Sequence, residues 1–166
     1  MANSVGLGAV AASASLWLLW SLLVGALANQ LPERLLAWRD GERPDHGGEA
    51  CLRIYERWLG IRVWKRWIPD GGHALPGGIR KASLARRDPL ALRRLSLETR
   101  RAELVHWALW PAWMVTALWL PPAGVLINLV FATLFNLPCV LLQRYNRLRL
   151  GETLRQLSSR RPELGR

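Results

Sequence analysis

From Leu104 to Leu142 the chain runs for 39 residues without one Asp, Glu, Lys or Arg, and this run decides the fold class. As a single helix it would extend roughly 58 Å, about twice the ~30 Å hydrocarbon core of a bilayer. It therefore has to turn back. Pro121-Pro122-Ala123-Gly124 supplies the break, because proline locks φ and lacks an N–H. The expected form is a membrane hairpin with spans over 104–120 and 125–142. A second uncharged run, 1–32, adds a span over about 5–31. The reading is an all-α integral membrane protein of about three transmembrane helices, with 1–166 as a single membrane domain.

All 23 basic and 12 acidic residues lie in 33–103 or 143–166, and the formal charge is +11. So basic a chain suggests nucleic acid first, but a soluble nucleic-acid-binding domain would not leave such a run of Leu, Trp, Val and Phe. No nucleic-acid partner is expected. The loop 33–103 carries 16 basic and 10 acidic residues and the tail 143–166 carries 7 and 2. The positive-inside rule places both in the cytoplasm, with any chemistry at the inner face of the cell membrane beside anionic lipid headgroups. Ala26-Leu27-Ala28 has the look of a signal-peptidase site. The run before it has no basic n-region, however, and the first basic residue, Arg34, follows it, so a retained span is expected.

Cys51 falls in the loop and Cys139 in the third span, which argues against a disulfide in a reducing compartment. His46, His73 and His106 have no Cys or carboxylate at ligand spacing, so no metal is expected.

Within the loop, 33–50 is rich in turn residues and reads as irregular. Cys51 to Leu59 reads as a short helix that Gly60 ends. The alternation Ile61-Arg62-Val63-Trp64-Lys65-Arg66-Trp67 fits either an extended piece or a helix. Either would suit an amphipathic element in the interface, with Trp among headgroups and Lys/Arg on phosphates. Pro69 to Gly78 reads as an ordinary loop, without the spacing of a phosphate-binding P-loop. Asp88-Pro89 is an N-cap followed by proline at the first helical position, and predicts a helix running through 90–103 into the second span.

On that helix Leu92, Ser96, Thr99, Glu103, His106, Trp110 and Trp113 recur at steps of three and four and share a face. Glu103 and His106 sit where the helix meets the bilayer, where an ionisable group is costly without a partner or a function. They would either cap and snorkel at the boundary, or form a general base, His106, oriented by Glu103. A hairpin returns the end of the third span to this level. Glu98, Arg101, Glu103 and His106 are therefore expected to face Gln143, Arg144, Asn146 and Arg147, with Asn136 and Gln143 on one face of the returning helix. Pro111 and Pro138 are expected to kink the two helices nearby.

Glu98-Thr99-Arg100-Arg101-Ala102-Glu103-Leu104-Val105-His106-Trp107 and Gln143-Arg144-Tyr145-Asn146-Arg147-Leu148-Arg149-Leu150 closely resemble the two signature stretches of the glycosyl-4,4'-diaponeurosporenoate acyltransferase family of staphyloxanthin-type carotenoid synthesis. Trp58, Arg62, Trp64-Lys65 and Asp70-Gly71 resemble a third stretch. The similarity runs in order from about Leu31-Pro32 to the basic C-terminus. Leu148 departs from the proline expected there, and 39–50 matches only in character.

The resemblance implies a membrane enzyme that esterifies a fatty acyl group onto a sugar hydroxyl, the C6 hydroxyl of a glucosyl carotenoid ester in the named reaction. Its partners would be membrane lipids, a lipophilic glycosylated acceptor and an acyl donor. That donor would be acyl-CoA or acyl-carrier protein as co-substrate, with no bound cofactor. On this reading His106 deprotonates the hydroxyl, Glu103 fixes its tautomer, and Arg101, Arg144 or Asn146 donates to the oxyanion. Lys65, Arg147 and Arg149 would hold donor phosphates, and Trp64, Asp70, Glu98, Asn136, Gln143 and Tyr145 complete the substrate-binding set. With no Gly-x-Ser-x-Gly elbow, direct transfer is expected. Three spans are few for a closed pocket, so an oligomer or a cap from 51–67 would complete it. Two other classes fit the same residues: a small inner-face lipid methyltransferase, and a non-enzymatic adaptor binding anionic lipid through its basic loop and tail.

Overall fold

A computed structural model describes residues 2–37, 48–68 and 88–160, and these are helical with no strand among them. The elements in order are α1 (Ala2–Asn29), α2 (Glu33–Ala37), α3 (Gly48–Arg57), α4 (Ile61–Trp64) and a 3₁₀ turn (Lys65–Trp67). Then follow α5 (Pro89–Leu109), a 3₁₀ helix (Trp110–Leu118) and α6 (Pro122–Arg160). They form two compact units. One comprises Met1–Leu31 with Arg101–Val140, the other Pro32–Arg100 with Leu141–Arg166.

Several boundaries follow from the residues named above. Asp88 Oδ1 accepts from the Leu90 N–H at 3.1 Å, so Asp88 and Pro89 open α5 as an N-cap pair should. Pro121 lies in the short link after the 3₁₀ helix, and Pro122 is the first residue of α6. Others differ from expectation. The segment 33–50 is not irregular throughout: Glu33–Ala37 is helical, and α3 begins at Gly48 and ends at Arg57. The undecided stretch after Gly60 is a helical turn passing into a 3₁₀ turn.

The second apolar segment is not one α-helix, because Pro111 cannot donate to the carbonyl one turn back. The α geometry gives way at Trp110 to nine residues of 3₁₀ helix, along which the Thr116 hydroxyl donates to the Trp113 carbonyl at 2.6 Å. Pro138, by contrast, is accommodated within α6, and the tail beyond Leu142 continues as helix to Arg160.

Among the described residues two helices are long and apolar enough to cross a membrane, Gly6–Asn29 and Pro122–Ser159. Only 6% and 22% of their most apolar stretches is buried inside the chain. A core helix of a water-soluble protein would be mostly covered. In the first unit the buried apolar positions are small or modest in size, Val24, Ala28, Ala112, Ala132 and Val140, while Leu7, Leu18, Leu118, Ile127 and Phe135 are more than 60% exposed. Small residues at helix contacts with large aliphatics outside is the arrangement of a lipid-facing bundle.

The described residues of the second unit form two apolar clusters. Ile61, Leu142 and Tyr145 are buried against Leu52, Tyr55, Trp64 and Ile68, and Leu92, Leu95 and Leu150 against Leu154 and Leu157. Trp58 and Trp67 stay outside at 83% and 76% exposure, in a stretch that also presents Arg62 and Arg66.

Gly60, between α3 and α4, is the one residue with positive φ among those described (φ 55°, ψ 29°). The space where a Cβ would sit is open, so the left-handed backbone alone demands glycine. Gly60→Ala should cost about 1–2 kcal/mol, read as a lowered unfolding temperature of the purified protein in nanodiscs. Unchanged unfolding would show that the turn relaxes.

Candidate active site

In the first unit the chemistry gathers around the last turns of α5. Glu103 is 7% exposed, and its Oε1 accepts a long bond of 3.4 Å from Trp107 Nε1. Arg101 Nη2 reaches the Leu31 carbonyl just beyond α1 at 3.4 Å, a site where a cation complements the negative end of a helix. His106 is half-buried, and its Nδ1 lies 3.1 Å from Oδ1 of Asn136 on α6. Asn136 is 5% exposed, and its amide nitrogen donates to the Ala132 carbonyl at 2.9 Å. The partner of the His106 ring is therefore Asn136, thirty residues along the chain, where sequence spacing pointed to Glu103.

The tryptophans of this unit do more than mark an interface. Indole N–H groups donate from Trp17 to Asn128 Oδ1 (2.9 Å), from Trp119 to Ser13 Oγ (3.1 Å), from Trp110 to Thr133 Oγ1 (3.2 Å) and from Trp20 to the Ala108 carbonyl (3.0 Å). In an apolar segment such bonds satisfy groups that have no water to turn to. They tie α1 and the hairpin together and so hold the helices that carry His106 and Asn136. Composition gave only a high tryptophan count.

In the second unit the centre is Tyr145, fully buried at 0% exposure. Its hydroxyl donates to Glu56 Oε1 at 2.8 Å, and the same oxygen receives Arg62 Nη2 at 2.9 Å. Lys65 Nζ and Arg149 Cζ lie 5.2 and 5.9 Å from the centre of the Tyr145 ring, within cation–π range. The Tyr55 ring is 6.3 Å away. Trp64 packs on the same cluster and donates from Nε1 to the Leu59 carbonyl at 2.8 Å. The Tyr145 hydroxyl, and then the Arg62 charge, hold the Glu56 carboxyl below its ordinary value of 4.5. Glu56 was not among the residues picked from sequence. A signal existed, since it is the one carboxylate between Cys51 and Trp67, among Arg53, Arg57, Arg62, Lys65 and Arg66.

The expected cluster is thus divided in membership. His106, Glu103, Arg101 and Asn136 belong to the first unit. Glu98, Trp64, Lys65, Gln143, Arg144, Tyr145, Asn146, Arg147 and Arg149 belong to the second. Asn146 Nδ2 is buried there with no hydrogen-bond partner among the described residues. Asp70, His46 and His73 lie outside the described residues. Among those described, no three His, Cys, Asp or Glu side chains converge as a metal site would require, and Cys51 and Cys139 are free thiols.

A polar pair on apolar helices and a cation-rich aromatic cluster can serve proton transfer and anion binding respectively. Residues 34–156 match the family model of glycosyl-4,4'-diaponeurosporenoate acyltransferase. Curated proteins of that name are similar over 87% of this chain and 87% of their own length: 30% identical in Staphylococcus aureus strain bovine RF122 / ET3-1 and 28% in strain USA300. No solved structure matches. With the match covering both polar groups of residues just described, the chain belongs to the glycosyl-4,4'-diaponeurosporenoate acyltransferase family.

Proposed function

We propose that this protein transfers a fatty acyl group from a thioester donor to a sugar hydroxyl, the C6 hydroxyl of glucose, of a glycosyl carotenoid or a related glycolipid. The observation that carries the reading is the His106–Asn136 pair within the matched region. It is a titratable ring held by a buried amide in a segment otherwise stripped of charge, which is what an alcohol-activating base in a water-poor site needs.

Each group has a task. His106 takes the hydroxyl proton, and Glu103 stabilises the imidazolium that results. Arg101, in the same unit as His106, is the oxyanion donor. Lys65, Tyr145, Arg147 and Arg149 of the second unit, with Arg144 and Asn146, bind the anionic carrier of acyl-CoA or acyl-carrier protein. Guanidinium forks suit phosphate there. Trp64, Asp70, Glu98 and Gln143 complete the substrate-binding set.

The chain crosses the cell membrane three times. The third crossing is 104–118, whose six α and nine 3₁₀ residues reach about 27 Å, close to the ~30 Å core. The indole bonds from Trp17 and Trp119 support a retained α1. The basic segments face the cytoplasm, and Trp58 and Trp67 sit among inner-leaflet headgroups.

The test is high-resolution mass spectrometry of lipids from cells that make the glycosyl carotenoid, with and without this protein. A species heavier by one fatty acyl residue, present only with the protein, is expected. An unmodified glycoside beside membrane-inserted protein would overturn the carotenoid acceptor, and an added methyl would overturn acyl transfer.

A further inference from the structure

Four polar side chains of the first unit use their proton in the same way, each donating to the carbonyl four residues back. Ser13 donates to Ala9 (2.9 Å), Asn128 to Gly124 (3.0 Å), Thr133 to Leu129 (2.8 Å) and Asn136 to Ala132 (2.9 Å). Such back-bonding is usual for short polar side chains inside apolar helices. It leaves one oxygen on each that can only accept. At Ser13, Asn128 and Thr133 that oxygen is met by an indole N–H, of Trp119, Trp17 and Trp110, and an indole nitrogen can only donate. At Asn136 the oxygen is met by His106 Nδ1, 3.1 Å away.

Imidazole is the one partner of the four that has a choice. A neutral ring carries its proton on either nitrogen, and the hydrogen bond made by one decides the other. Turning the Asn136 amide to suit a bare Nδ1 would set its oxygen against the Ala132 carbonyl, leaving two acceptors face to face in a 5%-exposed position. The amide nitrogen is thus committed to Ala132 and the oxygen to Nδ1–H.

We propose that Asn136 is a positioning residue that locks His106 in the Nδ1–H tautomer, so that Nε2 carries the lone pair which accepts the substrate proton. The role of Nε2 rests on the acyl-transfer reading; the tautomer does not. In the reaction the acceptor O–H proton passes to Nε2 and the alcohol oxygen bonds to the thioester carbonyl carbon. The C–S bond then breaks, and the thiolate leaves with the proton returned from Nε2. Nδ1 keeps its proton and its bond to Asn136 throughout. This role differs from the grip on substrate expected of Asn136 from sequence.

The test uses the full chain in nanodiscs, purified without a histidine tag. The chain has three histidines, so His46→Gln with His73→Gln leaves His106 as the sole ring for ¹⁵N labelling. At a pH where the ring is neutral, the NMR spectrum should show a protonated Nδ1 and a bare Nε2. Asn136→Leu should release the ring toward the Nε2–H form favoured by free histidine. It should lower kcat by at least about tenfold and at most about 10⁴-fold, the loss when a histidine base is held in the wrong tautomer, with KM for donor and acceptor little changed. Asn136→Ser, whose hydroxyl can donate to the Ala132 carbonyl as Ser13 does to Ala9 and still accept at Nδ1, should retain the Nδ1–H signature and recover part of kcat. An Nε2–H ring in the protein with Asn136 intact would overturn the proposal even if Asn136→Leu does not fold. So would an Asn136→Leu enzyme of unchanged kcat. Product masses diagnose the reaction itself separately, so failure of acyl transfer is not mistaken for failure of the lock.

Discussion

Replacing His106 with alanine is expected to lower turnover by roughly 10²–10⁴-fold, the usual contribution of a positioned general base, while the protein still inserts and is recovered intact. The structural grounds for intact insertion are specific. The Trp17–Asn128, Trp119–Ser13 and Trp110–Thr133 bonds that join the helices of this unit do not involve the ring. Removing His106 leaves the Asn136 oxygen without its donor, a local cost of about 1–3 kcal/mol for a buried acceptor, which a bundle tied at three other points should bear. The assay is acyl transfer by purified protein in nanodiscs, normalised to inserted protein. KM for the acyl donor should stay nearly unchanged, because the interaction removed is one made only in the transition state. Full activity of inserted His106→Ala protein would remove the base assignment and leave the family membership untouched.

The second large effect is expected on stability. Tyr145 is wholly buried at the centre of the Ile61–Leu142–Tyr145 cluster, and Tyr145→Ala should cost about 3–5 kcal/mol, as other buried aromatic truncations do. It would also strip away the ring on which Lys65 and Arg149 are gathered. Tyr145→Phe keeps the ring and both cations and loses only the hydroxyl that donates to Glu56, so it should be much the milder change.

The two variants separate further with pH. Glu56 is held below 4.5 in the folded protein, chiefly by that hydroxyl. A carboxyl lowered on folding stabilises the fold above its ordinary value, and the contribution is lost as pH falls through the folded value. The unaltered protein should therefore lose stability as pH drops below about 4.5, and Tyr145→Phe should show a shallower loss. Thermal unfolding in nanodiscs across that range reads both. A Tyr145→Ala protein as stable as the unaltered one would mean that the cluster contributes little to the second unit.

Much of this molecule is legible without coordinates because membrane folds are governed by local, one-dimensional signals. The empty charge pattern over 104–142, the Pro121-Pro122 break and the Asp88-Pro89 start each act within a few residues of where they stand. Helix formation, chain reversal and capping answer to such neighbours, which is why α5 begins where Asp88 and Pro89 put it. Pro111 and Pro138 show the limit of such signals, since one apolar segment turns to 3₁₀ geometry at its proline and the other carries its proline within a helix that continues past it. Nothing in the flanking residues distinguishes the two.

The residues alone establish a helical chain, apolar enough for a membrane and belonging to an acyltransferase family, and they single out His106, Asn136, Lys65, Tyr145 and Arg149 as candidates. Which side chain meets which is a matter of packing. Glu103 is three residues from His106 and shares its helix face, yet the ring bonds to Asn136, because a side chain pairs with whatever group the rotation of the neighbouring helix brings within about 3 Å. Glu56 joins Tyr145 from 89 residues away, and Trp17 finds Asn128 across 111. Periodicity shows which face of a helix a residue occupies, but the partner across that face is set by packing, and packing is a property of the folded chain as a whole.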